Sequence, residues 1–255
     1  MTDKKRVLIT GSSGLIGGVL RSRLPDKYEL SGVDIRPEPG YRCLGADMTD
    51  LDSILSAFEA IDTVVDLAAQ AENTTEWSRV QENNLPSTYN ALEAARIAGV
   101  KRVIFASSNH VTGMYESDYP YSSIVKGNYK GLDPSDTPHI TSDMPIRPDG
   151  PYGIGKAFGE AAGRYYSDEF GVSVICIRIG SLVEESRPNN IRHFSTLFTH
   201  EDLIQLVDLC INAPESLRFD IFYGVSGNTW RIWDISHAHD VLGYTPTTNA
   251  ELWRT

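Results

Sequence analysis

Arg6-Val7-Leu8-Ile9-Thr10-Gly11-Ser12-Ser13-Gly14-Leu15-Ile16-Gly17 is the stretch on which the reading of this chain turns. Arg6–Thr10 is a short β-type run of mostly apolar residues, and glycines at every third position follow it directly. Leu15–Leu24 then reads as a helix stopped before Pro25. A glycine loop between a strand and a helix has a definite physical use. The first glycine permits a tight turn, the second lets the backbone approach a pyrophosphate, and the third lets the helix pack on the strand. The helix start then offers unpaired N–H groups and the positive end of its dipole to phosphate oxygens. Gly11, Ser13, Gly14, Leu15, Ile16 and Gly17 are therefore expected to cradle a dinucleotide.

The alternation continues outward from this stretch. Tyr28–Asp34, Thr63–Ala69, Arg102–Ser107 and Val172–Ile179 read as strands. Asp52–Ala60, Asn84–Ala98, Tyr152–Phe170 and Glu201–Ile211 read as helices. Continuous apolar runs such as Val103-Ile104-Phe105 and Val174-Ile175-Cys176-Ile177 match strands covered on both faces. The expected fold class is α/β, a Rossmann-type doubly wound parallel sheet with helices on both faces, forming a single domain over residues 1–255. Two parts break the pattern. A segment at about 114–150 contains Pro120, Pro134, Pro138 and Pro145 and reads as an inserted long loop or small subdomain. The region at about 180–255, with one clear helix, reads as a small substrate-binding portion.

The 255 residues carry a formal net charge of −11, with 41% hydrophobic and 22% charged residues. This acidity argues against nucleic acid and anionic membranes as partners. No apolar run reaches the length of a membrane span. Cys43, Cys176 and Cys210 are odd in number and lack metal-ligand spacing. No metal and no disulfide framework are expected, and a cytoplasmic setting follows.

Asp34 closes the second strand. A carboxylate there accepts the ribose hydroxyls and repels a 2′-phosphate, which favours NAD over NADP. Ile35 flanks it. Arg36 either holds a 2′-phosphate or is a solvated loop charge. Asp47, followed by Met48, either meets the adenine edge or caps the next helix.

Tyr152-Gly153-Ile154-Gly155-Lys156 supplies the chemistry. Residues four apart on a helix share a face. The Lys156 ammonium is expected to lower the Tyr152 pKa from about 10, making a base near neutral pH, and to reach the nicotinamide ribose. Ser108 ends a strand where open parallel sheets gather ligands, and is expected to hold the substrate oxygen. Ser107 reads as structural. Asn109 and His110 stand at the same mouth, as site groups or as loop caps.

Taken together, these residues resemble the extended short-chain dehydrogenases/reductases, the family of NAD-dependent sugar epimerases and dehydratases. The likeness rests on the glycine loop, Leu67-Ala68-Ala69, Asn84, Ser108, Tyr152/Lys156, Arg178 and Leu242-Gly243-Tyr244-Thr245-Pro246. It implies a triad of Ser108, Tyr152 and Lys156, and adds Leu67, Ala68, Ala69, Asn84 and Ile179 to the cofactor contacts. Ala106-Ser107-Ser108-Asn109-His110, Arg147-Pro148-Asp149-Gly150, Arg178-Ile179-Gly180-Ser181 and Pro188-Asn189-Asn190-Ile191-Arg192 are similar to the uronate dehydrogenase branch, whose members oxidise C1 of galacturonate or glucuronate. On that likeness Ala71, Asn109, His110, Ser181 and Arg192 are expected to contact the sugar. An arginine fork suits a carboxylate, since it offers two parallel charged hydrogen bonds.

The chain departs from that branch at Leu15 and Ala71, where a polar residue is usual, and in a longer interval between Ser108 and Tyr152. The resulting expectation is a homo-oligomeric, NAD-dependent enzyme that oxidises a small free sugar or sugar acid at C1 to a lactone, with Tyr152 as general base. Two alternatives stand beside it. One is a sugar-phosphate dehydrogenase, which Lys126 and Lys130 in the insertion would suit. The other is an epimerase or dehydratase that recycles its NAD.

Overall fold

A computed structural model describes residues 4–71 and 74–254. Among these, one parallel sheet contains β1 (Arg6–Thr10), β2 (Glu29–Asp34), β3 (Cys43–Gly45), β4 (Thr63–Asp66), β5 (Arg102–Ser108), β6 (Ser173–Ile179) and β7 (Phe219–Gly224). Their order is β3-β2-β1-β4-β5-β6-β7. The main helices are α1 (Leu15–Arg23), α2 (Leu51–Phe58), α3 (Leu85–Ala98), α4 (Pro151–Phe170), α5 (His200–Ile211) and α6 (Ser236–Leu242).

Side chains of a strand alternate between faces, and here each face has its own core. Val7, Ile9, Ile104, Ile175 and Ile177 pack with Leu20 of α1 and with Leu203, Leu206 and Val207 of α5. Leu8, Val103, Phe105, Val174 and Cys176 pack on the other side with Ile54 of α2, Ala91 and Ala95 of α3, and Tyr166 of α4. The strand order reverses direction between β1 and β4, which opens a crevice at the carboxyl ends of the strands.

Several boundaries differ from expectation for local reasons. β4 stops at Asp66, not Ala69, because the N–H groups of Leu67 and Ala68 leave the ladder and donate to Thr10 Oγ1 at 3.1 and 3.2 Å. Asn84 does not open a helix. It ends a π-helical turn (Val80–Asn84) that runs into α3. β3, β7 and α6 go unannounced in the sequence. β3 is a three-residue edge strand, β7 carries Asp220 in an otherwise apolar run, and α6 is only seven residues long.

The insertion is anchored. Tyr115, Tyr121, Ile124 and Ile140 form a third apolar cluster with Tyr223, Val225, Ile232 and Trp233. Ile140 N–H donates to Ile232 O at 2.8 Å, and Asp234 N–H donates to Ile140 O at 2.9 Å. Tyr129 stacks on Trp230 with ring centroids 4.2 Å apart. No helix among the described residues is long and apolar enough to cross a membrane.

Candidate active site

The glycine loop sits flush against its neighbours. Gly11 has a φ of 62°, and a Cβ there would lie 3.0 Å from the Ala68 backbone. A Cβ at Gly17 would fall 2.5 Å from the Ser12 carbonyl oxygen. Gly14 precedes α1 and provides no side-chain cap, so the first-turn N–H groups face outward without side-chain partners. Asp34 stands at the end of β2. Its Oδ2 accepts from Ser13 N at 2.9 Å and its Oδ1 from Arg36 N at 2.8 Å, while Ser13 Oγ donates to Arg36 O at 2.8 Å. A bare cradle, an uncapped helix start and a fixed carboxylate fit the pyrophosphate and ribose of NAD.

A cavity of about 520 Å³ opens beside this loop. Gly11, Gly14, Leu15, Ile16, Gly17, Leu67, Ala69 and Ile179 line it, as do Ala71, Ser108, Asn109, His110, Tyr152, Lys156, Ser181 and Arg192. Loops after strands β1, β4, β5 and β6 and the start of α4 thus converge on one space. Gly180, Leu182, Val183 and His193 also line it; Gly180 lies within a quoted motif without a stated role, and no motif singled out the other three.

The remaining expected cofactor residues lie outside this lining, for identifiable reasons. Ser13 and Asp34 clamp the loop from behind, and Ile35 and Arg36 are exposed beyond it. Met48 is buried in the core under α2 and α3. Asp47 does not cap α2. Its Oδ1 accepts from Thr49 N and Oγ1, both at 2.9 Å, and Asp50 is the cap. Ala68 packs against Gly11. Asn84 holds Gln70 from both sides, accepting from its N–H at 2.8 Å and donating to its carbonyl at 3.2 Å, which fixes the loop after β4.

At the reactive end, β5 and α4 meet closely. A Cβ at Gly153 would lie 2.3 Å from the His110 carbonyl oxygen, so glycine is what lets the Ser108–His110 turn rest on α4 beside Tyr152. The His110 and Tyr152 rings pack edge to face with centroids 5.9 Å apart. His110 Nδ1 lies 2.8 and 3.0 Å from the carboxylate oxygens of Asp149. Ser108 Oγ accepts from His110 N and donates to Asn109 Oδ1, each at 3.2 Å. Ser107 Oγ donates to Glu160 Oε1 at 2.6 Å inside the buried Glu160–Arg178 pair.

The electrostatics differ from the sequence expectation. Burial pushes the Tyr152 phenol up to about 12, and the Ser108 side chain, hydrogen-bonding to it, opposes this in part. Lys156 does not bring it down. Its Nζ lies 5.7 Å from the Tyr152 ring centroid and 4.8 Å from that of Phe105. Burial pulls Lys156 itself down to about 8, against the nearby charge of Asp66. Asp66, overlooked in the sequence, is fully enclosed at the end of β4. Burial raises it to about 6, Thr10 Oγ1 donates to its Oδ1 at 2.6 Å, and its Oδ2 has no partner among the described residues.

At the far wall, Arg192 meets Glu116 of the insertion in a two-pronged ion pair. Nε donates to Oε2 at 2.7 Å and Nη2 to Oε1 at 2.6 Å. Arg192 Nη1 also donates to Ser181 Oγ at 3.0 Å. Lys126 and Lys130 are exposed and do not line the cavity. A larger depression of about 1250 Å³ lies at the opposite pole, at the amino ends of the strands. Several of its cations are engaged locally. Lys4 donates to Pro25 O, Lys5 to Ile211 O, and Arg102 to the carbonyls of Cys210, Ile211, Ala213 and Pro214.

The chain's relatives fit this geometry. Residues 7–201 match the model of the NAD dependent epimerase/dehydratase family. Uronate dehydrogenase of Agrobacterium fabrum is 34% identical over 255 residues, covering 98% of this chain and 87% of the relative. L-arabinose 1-dehydrogenase (NAD(P)(+)) of Haloferax volcanii is 36% identical over 179 residues, 70% of this chain and 67% of the relative. A crystal structure of Agrobacterium tumefaciens uronate dehydrogenase, a tyrosine-to-alanine mutant complexed with NAD, superposes with a TM-score of 0.84 at 34% identity, covering 98% of this chain and 88% of that one. With its glycine cradle and its tyrosine–lysine helix on a parallel seven-stranded sheet, the chain belongs to the NAD dependent epimerase/dehydratase family.

Proposed function

We propose that this protein oxidises C1 of a small free sugar or sugar acid to the lactone, with NAD as oxidant. The observation that carries this reading is the shared cavity. Tyr152 and Lys156, one helical turn apart, open into the same space as Ser108 and the glycine loop. When bound, NAD accepts the hydride that leaves C1. The chain's residues supply the rest. Gly11, Gly14 and Gly17 receive the pyrophosphate, and Asp34 receives the ribose diol. Ser108 holds the C1 oxygen and Tyr152 takes its proton. The bond to hydrogen at C1 breaks as the C1–O double bond forms, so the proton and hydride leave separately.

Lys156 is suited to gripping a ribose. Its ammonium is buried yet makes no hydrogen bond among the described residues, so all its N–H donors are available. A phenol held at about 12 is a weak base at neutral pH. Forming its anion at pH 7 costs roughly 7 kcal/mol, so the oxidation rate is expected to rise with pH below the Tyr152 pKa. The decisive experiment follows NADH absorbance with a panel of aldoses and uronic acids. Tyr152→Phe should lower kcat by about 10²–10⁴-fold. Full turnover in that variant would sink the assignment, and sugar conversion with no net NADH would point to an epimerase.

For the assembly, we propose a cytoplasmic homo-oligomer. Tyr89 and Ile97 on α3, with Tyr165 and Phe170 on α4, leave exposed apolar surface that a second copy can cover. The three cysteines are unpaired thiols, as a reducing compartment keeps them. Light scattering that returned a monomer at micromolar concentration would refute the oligomer.

A further inference from the structure

The wall of the cavity opposite the cofactor loop holds a charge arrangement that bears on the sugar itself. Arg192 is the arginine that a uronate carboxylate would need, yet its fork is already filled. Both carboxylate oxygens of Glu116 sit on it at 2.6 and 2.7 Å, the geometry that a bound carboxylate would adopt. Glu116 is not part of the cavity lining, whereas Arg192 is. The pair is half-sheltered, with side-chain exposures of 30% for Arg192 and 15% for Glu116, so water screens it incompletely.

The other charges near the cavity are matched in the same way. Glu160 holds Arg178 through two bonds of 2.9 Å. Asp149 holds His110. Asp66 lies close enough to act on Lys156. His193 is bound to Asn190, whose Nδ2 lies 3.0 Å from its Nε2. Lys156, beside Asp66, keeps its donors for the cofactor side; on the far side of a sugar, no cation among the described residues that line the cavity is left to neutralise an anionic substituent. Neutral hydrogen-bonding capacity does remain. Three of the five N–H groups of Arg192 are engaged by Glu116 and Ser181, leaving two for hydroxyl oxygens.

We propose that Glu116 sets the substrate class: by occupying the Arg192 fork it makes the sugar site electrically neutral and selects uncharged aldoses over uronates and sugar phosphates. This rests on the reading of the cavity as a site of sugar C1 oxidation. A uronate entering the site must expel Glu116, stranding one carboxylate in a half-buried place, or lie beside it without a counter-ion. Either arrangement is a device that rejects the wrong partner by repulsion. The insertion that carries Glu116 thereby acts on specificity without touching the cofactor.

The test measures kcat/KM of the full-length wild type, with saturating NAD, for arabinose, xylose, galactose and glucose against galacturonate, glucuronate and glucose 6-phosphate. The uncharged sugars should lead on the order of tenfold or more. Glu116→Gln keeps the size of the side chain and removes its charge. It should shift the galacturonate-to-galactose ratio toward the acid by about tenfold or more. Wild-type preference for a uronate or a phosphate ester would overturn the proposal. So would a folded Glu116→Gln protein with the wild-type ratio. If that variant does not fold, the wild-type profile alone decides. Tyr152→Phe in parallel separates the two readings. Wild-type oxidation of uronates, abolished by Tyr152→Phe, rejects the role of Glu116 and keeps C1 oxidation. NAD binding with no turnover of any sugar rejects C1 oxidation, and this inference with it.

Discussion

Glu160→Gln should be the most damaging conservative substitution in this protein. Glu160 on α4 grips Arg178 of β6 with both oxygens, and Ser107 of β5 donates to the same carboxylate at 2.6 Å. The pair is almost sealed, with side-chain exposures of 2% for Arg178 and 7% for Glu160. Arg178 also reaches Tyr223 of β7 at 3.2 Å and Ser142 of the insertion at 3.4 Å. Glutamine fills the same volume but leaves the guanidinium buried without a counter-charge. Removing one member of such a pair costs about 3–5 kcal/mol. At about 2–4 °C per kcal/mol for a chain of this size, the melting temperature should fall by about 6–20 °C. Urea unfolding followed by far-ultraviolet circular dichroism would measure it, with an unchanged m-value confirming that the same surface unfolds. The double variant Glu160→Met/Arg178→Met removes both charges and should be more stable than Glu160→Gln, though Ser107 and Tyr223 each lose a partner. The site should weaken too, because Ser107 pairs with Arg178 across the sheet one position before Ser108 pairs with Ile179. A loss below about 1 kcal/mol in Glu160→Gln, or a double variant no more stable than the single, would refute the buried-charge argument.

Lys156 carries a pH signature. Its folded value of about 8 lies below the ordinary lysine value of about 10.4, so between the two the unfolded chain binds more protons and stability rises with pH. The difference in unfolding free energy between wild type and Lys156→Met should therefore grow by about 2 kcal/mol from pH 8 to pH 10, and a flat difference would contradict a buried ammonium. Asp34→Ala frees the N–H groups of Ser13 and Arg36 and removes the charge that repels a 2′-phosphate. Its kcat/KM with NAD should fall about tenfold or more while NADP gains relative to NAD, and an unchanged ratio would transfer cofactor choice to Arg36.

The cofactor half of the site was legible because its physics is local. A strand, a glycine turn and a helix lie within the first two dozen residues, and their spacing is enough to bring Gly11, Gly14 and Gly17 to the cavity. Ser108, Tyr152 and Lys156 were legible for a related reason, since each sits at the end of a strand or on one face of one helix. What escaped notice is set by contacts far apart in the chain. Asp66 reads as the end of a strand, and only the closure of β1, β4 and α4 around it makes it a buried carboxylate acting on Lys156. Glu116 is separated from Arg192 by 76 residues, and nothing in Met114-Tyr115-Glu116-Ser117 marks it. The expected fall in the Tyr152 pKa failed for the same reason. Spacing places the ammonium on the correct face, but it lies 5.7 Å from the Tyr152 ring centroid, and burial, opposed only by the Ser108 hydrogen bond, sets the direction.

The distribution of charge divides the cavity into two halves with different tasks. On the sugar side His110 and Arg192 each hold a carboxylate, and both carboxylates, Asp149 and Glu116, come from the insertion. On the cofactor side Lys156 holds none by hydrogen bond, and its counter-charge, Asp66, belongs to the sheet. A buried ammonium with open donors binds any hydroxyl-bearing partner that reaches it, and that demand is the same whichever sugar is oxidised. Pairing Arg192 with Glu116 has the opposite effect, since it withdraws the group that would favour an acid. Altering the segment between β5 and α4 can therefore retune the substrate while leaving Gly11–Gly17, Asp34 and Lys156 as they are.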